Sequence, residues 1–150
     1  MVKWAAIFDW DGVIVDSSRA HEQAWERLAA EVNQPLFPGF FERSFGMKND
    51  RIIRDLLGWT DDPQALKRLG DRKEELFREE IRRHPLQPLP AVRPFLERLR
   101  AAGVPCAVGS STPRANIDCV IDQLGLRDMF DRIVAGEDVH QGKPDPEVFL

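Results

Sequence analysis

The stretch Val2-Lys3-Trp4-Ala5-Ala6-Ile7-Phe8-Asp9-Trp10-Asp11-Gly12 decides the fold. Its first seven residues are a short apolar run near the N-terminus, which predicts a buried strand. Two carboxylates and a glycine then stop it. Far downstream the same kind of run returns twice, each time after a helix. A helix is predicted over 91–102, ending at Gly103, followed by a strand over 104–109. A second helix over 113–124 ends at Gly125 and precedes a strand over 132–135, and a further helix begins near Pro146. Helix and strand in alternation imply an α/β fold with a Rossmann-like parallel sheet and right-handed crossovers.

Between the first strand and that alternation the pattern is helical throughout. Ser17 or Ser18 can cap a long helix in which His21, Trp25, Leu28 and Val32 recur at helical spacing. Pro35, Pro38 and Gly39 end it in a turn. Residues 41–58 predict one or two short helices around Gly46. Residues 63–83 predict a charged helix with Leu66, Leu69, Leu76, Phe77 and Ile81 on its apolar side, weakened locally by Gly70. Pro85, Pro88 and Pro90 then stiffen the chain and mark a boundary. The expected organisation is an α/β core from 1–15 and 86–150, with a helical cap over 16–85 inserted after the first strand.

Composition narrows the function. The 150 residues carry a net charge of −4 with a pI near 5.4, and are 43% apolar and 31% charged. Four Trp and nine Phe are too many large apolar groups for a disordered chain. The acidic balance argues against a nucleic-acid partner. No apolar run approaches the roughly 18 residues of a membrane span, so no membrane partner is expected. Cys106 and Cys119 are too few for a metal cage or a disulfide framework, which points to a reduced, cytoplasmic setting.

Open parallel sheets bind ligands at the carboxyl ends of their strands. The first strand ends in Asp9-Trp10-Asp11-Gly12, the second in Gly109-Ser110-Ser111-Thr112, and past the third lies Gly142-Lys143-Pro144-Asp145-Pro146. Two carboxylates, a hydroxyl and an ammonium thus converge on one edge, as a site for phosphate and a divalent cation requires. A carboxylate such as Asp9 can attack phosphorus, and Asp11 can protonate a leaving oxygen and then activate water. Gly12 lets main-chain N–H groups approach phosphate. The Ser110 hydroxyl can donate to a phosphate oxygen and Lys143 can supply positive charge. Each element alone is commonplace; their order along the chain is not.

Phe8-Asp9-Trp10-Asp11-Gly12-Val13, Ser110 and Gly142-Lys143-Pro144 resemble motifs one, two and three of the haloacid dehalogenase-like superfamily. The inserted helices resemble its small helical cap, as in the β-phosphoglucomutase and phosphoglycolate phosphatase group, and the resemblance spans essentially the whole sequence. It implies Asp9 as nucleophile and Asp11 as acid and base. It implies Mg²⁺ on Asp9 and the Asp11 carbonyl, with Ser110 and Lys143 on the phosphate. The second Asp of motif one argues against both the phosphonatase branch and a true dehalogenase. The family's fourth motif brings further acidic metal ligands after a fourth core strand. The sequence stops at Leu150, before that strand, and Glu137 and Asp138 lie too early to replace it. The 150 residues are therefore expected to be the N-terminal portion of a longer protein, lacking the C-terminal core strands and leaving an open apolar edge beside the first strand.

The resemblance extends to the cap. His21 resembles a mutase cap histidine and Lys73 a cap lysine, although the first also reads as a packing residue and the second as part of a solvated charge run. Gly46-Met47-Lys48-Asn49-Asp50 resembles the family's specificity loop, where Lys48 or Asn49 would meet the far end of a substrate; a plain helix–helix turn reads as well. Arg114 is expected to reach a second phosphate. Trp4, Trp10 and Trp59 read as packing groups. The implied activity is a Mg²⁺-dependent phosphatase for a small phosphorylated metabolite, of sugar-phosphate or riboflavin-pathway type, acting as a monomer or homodimer. The alternative is a β-phosphoglucomutase-like sugar-phosphate mutase. A receiver-type phospho-acceptor module is disfavoured by the long helical insertion that follows Asp11.

Overall fold

The computed structural model describes residues 4–141, 143 and 145–150. The expectations at Val2, Lys3, Gly142 and Pro144 lie outside the described residues. Three parallel strands, β1 (Ala6–Phe8), β2 (Cys106–Gly109) and β3 (Arg132–Val134), form one sheet in the order β1-β2-β3. Phe8 lies opposite Val108 and Gly109 opposite Val134, so the three strands finish together.

By its internal contacts the chain divides into two compact units. One contains the described residues up to Ser18 together with His84–Leu150; the other is Arg19–Arg83. In the first unit, helices α5 (Val92–Ala101) and α6 (Arg114–Leu124) accompany the sheet. Helix α6 buries Ile117, Val120, Ile121 and Leu124, the i, i+3, i+4, i+7 stripe of a helix on a sheet. Gly125 closes it in the left-handed conformation at φ 59°. Within this unit the Leu89 N–H donates to the Ile14 carbonyl at 2.9 Å. β1 is an edge strand among the described residues. Ile7 is 50% exposed there and Trp4 57%. Trp4 is therefore no packing group, in contrast to Trp10, which is fully buried, and Trp59, whose ring meets Trp25 edge-on at 6.5 Å.

The second unit is built on α1 (Ser18–Glu31) and α4 (Pro63–Arg83), with short helices α2 (Phe40–Ser44) and α3 (Asn49–Arg51) between them. The start of α1 differs from expectation. Neither serine hydroxyl caps it: Ser17 Oγ donates to Asp11, and Ser18 donates both its N–H and its hydroxyl to the Asp16 carboxylate. Asp16 is the acceptor because its carboxylate offers more lone pairs than a hydroxyl. After α3 the chain makes a π-turn over Ile52–Leu56, closed by the Leu57 N–H on the Ile52 carbonyl at 2.9 Å. The helix expected near Pro146 is a single 3₁₀ turn, Pro146–Phe149.

Helix α4 carries two adjacent basic residues with opposite surroundings. Arg72 lies at the surface and pairs with Glu31 at 2.7 Å, Glu75 at 3.0 Å and Glu79 at 3.2 Å. Lys73 is buried, pairs with Glu74 at 3.0 Å, and sits over the faces of Trp25 and Phe77. A solvated ion pair contributes about 0–1 kcal/mol, whereas removing one partner of a buried pair costs about 3–5 kcal/mol. Urea unfolding should therefore separate the neighbours: Arg72→Ala loses under about 1 kcal/mol, and Lys73→Ala on the order of 3 kcal/mol. Equal losses would show that the Lys73 ammonium is as hydrated as the guanidinium beside it.

Candidate active site

The turn after β1 is organised by Trp10. Its indole is buried, its main-chain N–H donates to Asp9 Oδ1 at 2.7 Å, and its carbonyl accepts from the N–H groups of Ile14 at 2.9 Å and Val13 at 3.3 Å. Gly12 takes φ 78°, a conformation that strains any residue with a Cβ. Its own N–H donates to the Val15 carbonyl at 2.7 Å, so its contribution is the shape of the turn. The two acidic side chains emerge on either side of the buried Trp10 with different partners.

Asp9 Oδ2 pairs with Lys143 Nζ at 2.7 Å, and the ammonium also lies 5.0 Å over the Phe149 ring. Asp11 instead accepts two hydroxyls, Ser17 on Oδ1 and Thr112 on Oδ2. Ser110 is buried, its N–H on the Val134 carbonyl at 3.0 Å, and its Oγ accepts the Thr112 N–H at 3.1 Å. A hydroxyl that accepts there can still donate its own proton to an anion. The structure thus brings Asp9 to Lys143, and Asp11 to the loop that carries Ser110. Thr112 and Ser17 escaped the sequence reading. Thr112 stands in the quoted Gly109–Thr112 segment but carried no role, and Ser17 was read as a helix cap.

Lys143 rides on a loop tied by Glu147, whose carboxylate accepts the His140 N–H at 3.0 Å and the Gln141 N–H at 2.7 Å; Asp145 accepts the Glu147 N–H at 2.9 Å. Arg114, expected at a second phosphate, has its guanidinium on the Ile133 carbonyl at 2.7 Å and on Asp138. What the geometry shows for it is a tie between the start of α6 and the end of β3.

In the helical unit, Lys48 is exposed. Asn49, His21 and Lys73 form one polar chain: Asn49 Nδ2 donates to Glu74 Oε1 at 2.6 Å, and Lys73 Nζ lies 3.0 Å from the same oxygen and 2.8 Å from His21 Nδ1. The His21 ring stacks on Phe77 at 4.1 Å. An ammonium only donates, so Nδ1 accepts and the ring proton of His21 is on Nε2. Glu74 stands in a run of charges in the sequence, and its burial is a tertiary effect.

A hard dication suits the oxygens after β1. Asp9 offers a carboxylate, and Asp11, two residues on, carries a second one that accepts two hydroxyls. Among the described residues no group of three or more His, Cys, Asp or Glu side chains forms a metal cage. Mg²⁺ often takes one or two carboxylates and completes its shell with water and substrate phosphate.

Parallel strands that deliver a carboxylate paired with an ammonium, a second carboxylate and a buried serine to one edge, with a helical unit threaded in after β1, define an α/β domain suited to handling a phosphate-like oxyanion. A profile of the haloacid dehalogenase-like hydrolases matches residues 5–150, and the chain belongs to that family. It is 36% identical over 147 residues to the chloroplastic 5-amino-6-(5-phospho-D-ribitylamino)uracil phosphatase of Arabidopsis thaliana, covering 97% of this chain and 39% of that protein. It is 30% identical over 150 residues to the phosphorylated carbohydrates phosphatase of Thermotoga maritima, covering 97% of this chain and 67% of that one. The crystal structure of a β-phosphoglucomutase from Clostridium difficile superposes with a TM-score of 0.81 at 25% identity, covering 99% of this chain and 68% of that one. The chain therefore spans between two fifths and about two thirds of these relatives. No helix among the described residues is long and apolar enough to cross a membrane.

The Glu147 tie has a pH signature. The N–H groups of His140 and Gln141 hold its carboxyl below the usual carboxylate range. A lowered folded pKa means stabilisation that is full above the unfolded value, about 4.3, and is lost as pH falls through the folded one. The amide resonances of His140 and Gln141 should titrate together below pH about 4.3 and stay flat in Glu147→Gln. Titration well above that pH would disprove the tie.

Proposed function

We propose that the chain carries the nucleophile of a phosphoric monoester hydrolase acting on a small phosphorylated metabolite. The Asp9–Lys143 pair of 2.7 Å at the carboxyl edge of the sheet carries this reading. Lys143 orients the Asp9 carboxylate and offsets the charge of an incoming phosphate, which would otherwise be repelled by it. The buried Ser110 hydroxyl donates to a phosphate oxygen. Asp9 Oδ attacks phosphorus as the ester P–O bond breaks, and the leaving oxygen takes a proton from Asp11. An aspartyl-phosphate and the free alcohol result. Asp11 then removes a proton from water, whose oxygen attacks phosphorus; the Asp9–phosphorus bond breaks and phosphate leaves. Asp9 and Asp11 would hold a Mg²⁺ ion, which would supply additional neutralisation of phosphate charge.

The substrate class proposed is a sugar phosphate or a riboflavin-pathway phosphate, after the two phosphatase relatives. Lys48 and the Asn49–Glu74–Lys73–His21 chain are the cap residues proposed to set it. A reducing, cytoplasmic setting is proposed with it, and both cysteines are free thiols. A mutase reading is favoured by one observation, the joined His21 and Lys73 at 2.8 Å.

Phosphate release from a panel of phosphate monoesters tests the reading. Asp9→Asn should lower kcat at least about 10³-fold, as loss of a nucleophile does, and EDTA should abolish turnover until Mg²⁺ is restored. Unchanged phosphate release in Asp9→Asn would refute it. Isomerisation of β-glucose 1-phosphate, primed with a bisphosphate, would move the assignment to a mutase.

A further inference from the structure

We propose that Thr112 is a positioning residue for Asp11, and that the loop after β3 sets Thr112 through Gly136; this rests on the reading of Asp11 as the acid and base. The Thr112 hydroxyl donates to Asp11 Oδ2. Both main-chain polar groups of Thr112 are tied, but to different loops. Its N–H donates to Ser110 Oγ at 3.1 Å, within the loop after β2, and its carbonyl accepts the Gly136 N–H at 3.0 Å, from the loop after β3. The direction of the hydroxyl is therefore set by how closely those two loops approach.

That approach is closer than any side chain allows. A Cβ on Gly136 would stand 2.4 Å from the Ser111 carbonyl oxygen and 3.0 Å from its carbon. The obstructing atoms are main chain, so no rotamer change could relieve the clash, and the Ser110-Ser111-Thr112 segment itself would have to move. Gly136 is absent from the positive-φ residues. Its requirement is clearance, unlike that of Gly12.

The residues around Gly136 pin the same junction. Asp138 accepts the Ala135 N–H at 2.8 Å and pairs with Arg114. Glu137 Oε2 accepts the Arg114 N–H at 3.0 Å, and Arg114 Nη2 reaches the Ile133 carbonyl at 2.7 Å. Residues 133–138 and 110–114 are thereby locked together. The third strand's loop, well before Lys143, governs a carboxylate carried by the first strand.

Steady-state phosphate release tests this, with melting temperature measured on each variant. Thr112→Val removes the hydroxyl while keeping the shape; kcat should fall on the order of 10²-fold, the scale of a misplaced catalytic group, with KM and melting temperature little changed. Thr112→Ser should restore most of the loss. Gly136→Ala should lower kcat in the same way, and the double variant with Thr112→Val should lose no more than the larger single variant, because both act through one contact. Asp138→Asn loosens the same junction without a clash, and its smaller loss should likewise vanish on the Thr112→Val background. The proposal is overturned if Thr112→Val keeps its kcat, if serine fails to restore it, or if the loop variants multiply with Thr112→Val. Asp11→Asn separates the two levels: turnover that survives it overturns the acid–base reading itself, whereas its loss alongside an active Thr112→Val overturns only the role of Thr112.

Discussion

Parallel pairing is the constraint from which the site follows. Phe8 opposite Val108, and Val108 opposite Ile133, put the strands in step. The residues after each strand then have to emerge on one edge: Asp9 after β1, Ser110 after β2, Ala135 after β3. In an antiparallel sheet alternate loops would leave from opposite ends, and Asp11 and Thr112 would lie a strand length apart. Register accounts for nearness but not for aim. Aim comes from local ties: the buried Trp10 behind the first turn, the Ser110 N–H on Val134, and Glu147 behind the loop of Lys143.

Two carboxylates separated by one residue need different environments if they are to do different work. Here the separation is chemical as well as geometric. Asp9 faces a cation, Lys143, and a main-chain N–H. Asp11 accepts a hydroxyl on each oxygen. The ammonium beside Asp9 would also meet an incoming phosphate, so one cation serves both halves of the attack. In the proposed reaction Asp11 first gives and then takes a proton, and hydroxyl partners can rotate without moving a charge.

The sheet, the inserted helices and the carboxylate turn were legible because each depends on local pattern: an apolar run, a helical stripe, a glycine. The pairing of Lys143 with Asp9 was legible only as a juxtaposition, from where each falls after its strand. What could not be read was decided by partners distant in sequence. Ser17 and Ser18 both satisfy the rule for a helix cap; Asp11 and Asp16 instead draw their hydroxyls. Lys73 sits among charges in the sequence and reads either as part of a solvated run or as a cap lysine, yet it is buried with Glu74, because α4 turns that side onto Trp25 and Phe77. Arg114 follows the second strand as a phosphate ligand would, but Ile133 and Asp138 lie within its reach. Gly136 gave no signal at all, since a close approach between two loops leaves no mark on the sequence of either.

The buried polar chain of the helical unit is better explained by orientation than by stability. A buried lysine–glutamate pair recovers little of its desolvation, and apolar side chains of the same volume would often hold such helices together as well. What they would not do is select a state of His21. The Lys73 ammonium offers protons only, so it fixes Nδ1 of His21 as an acceptor and leaves Nε2 as the donor, while Phe77 holds the ring plane. The same Glu74 oxygen that anchors Lys73 also anchors Asn49, at the head of α3. One carboxylate thus sets the direction of three side chains that come from three different helices. A change at Glu74 would release these side chains together and would also leave the Lys73 ammonium buried without its carboxylate.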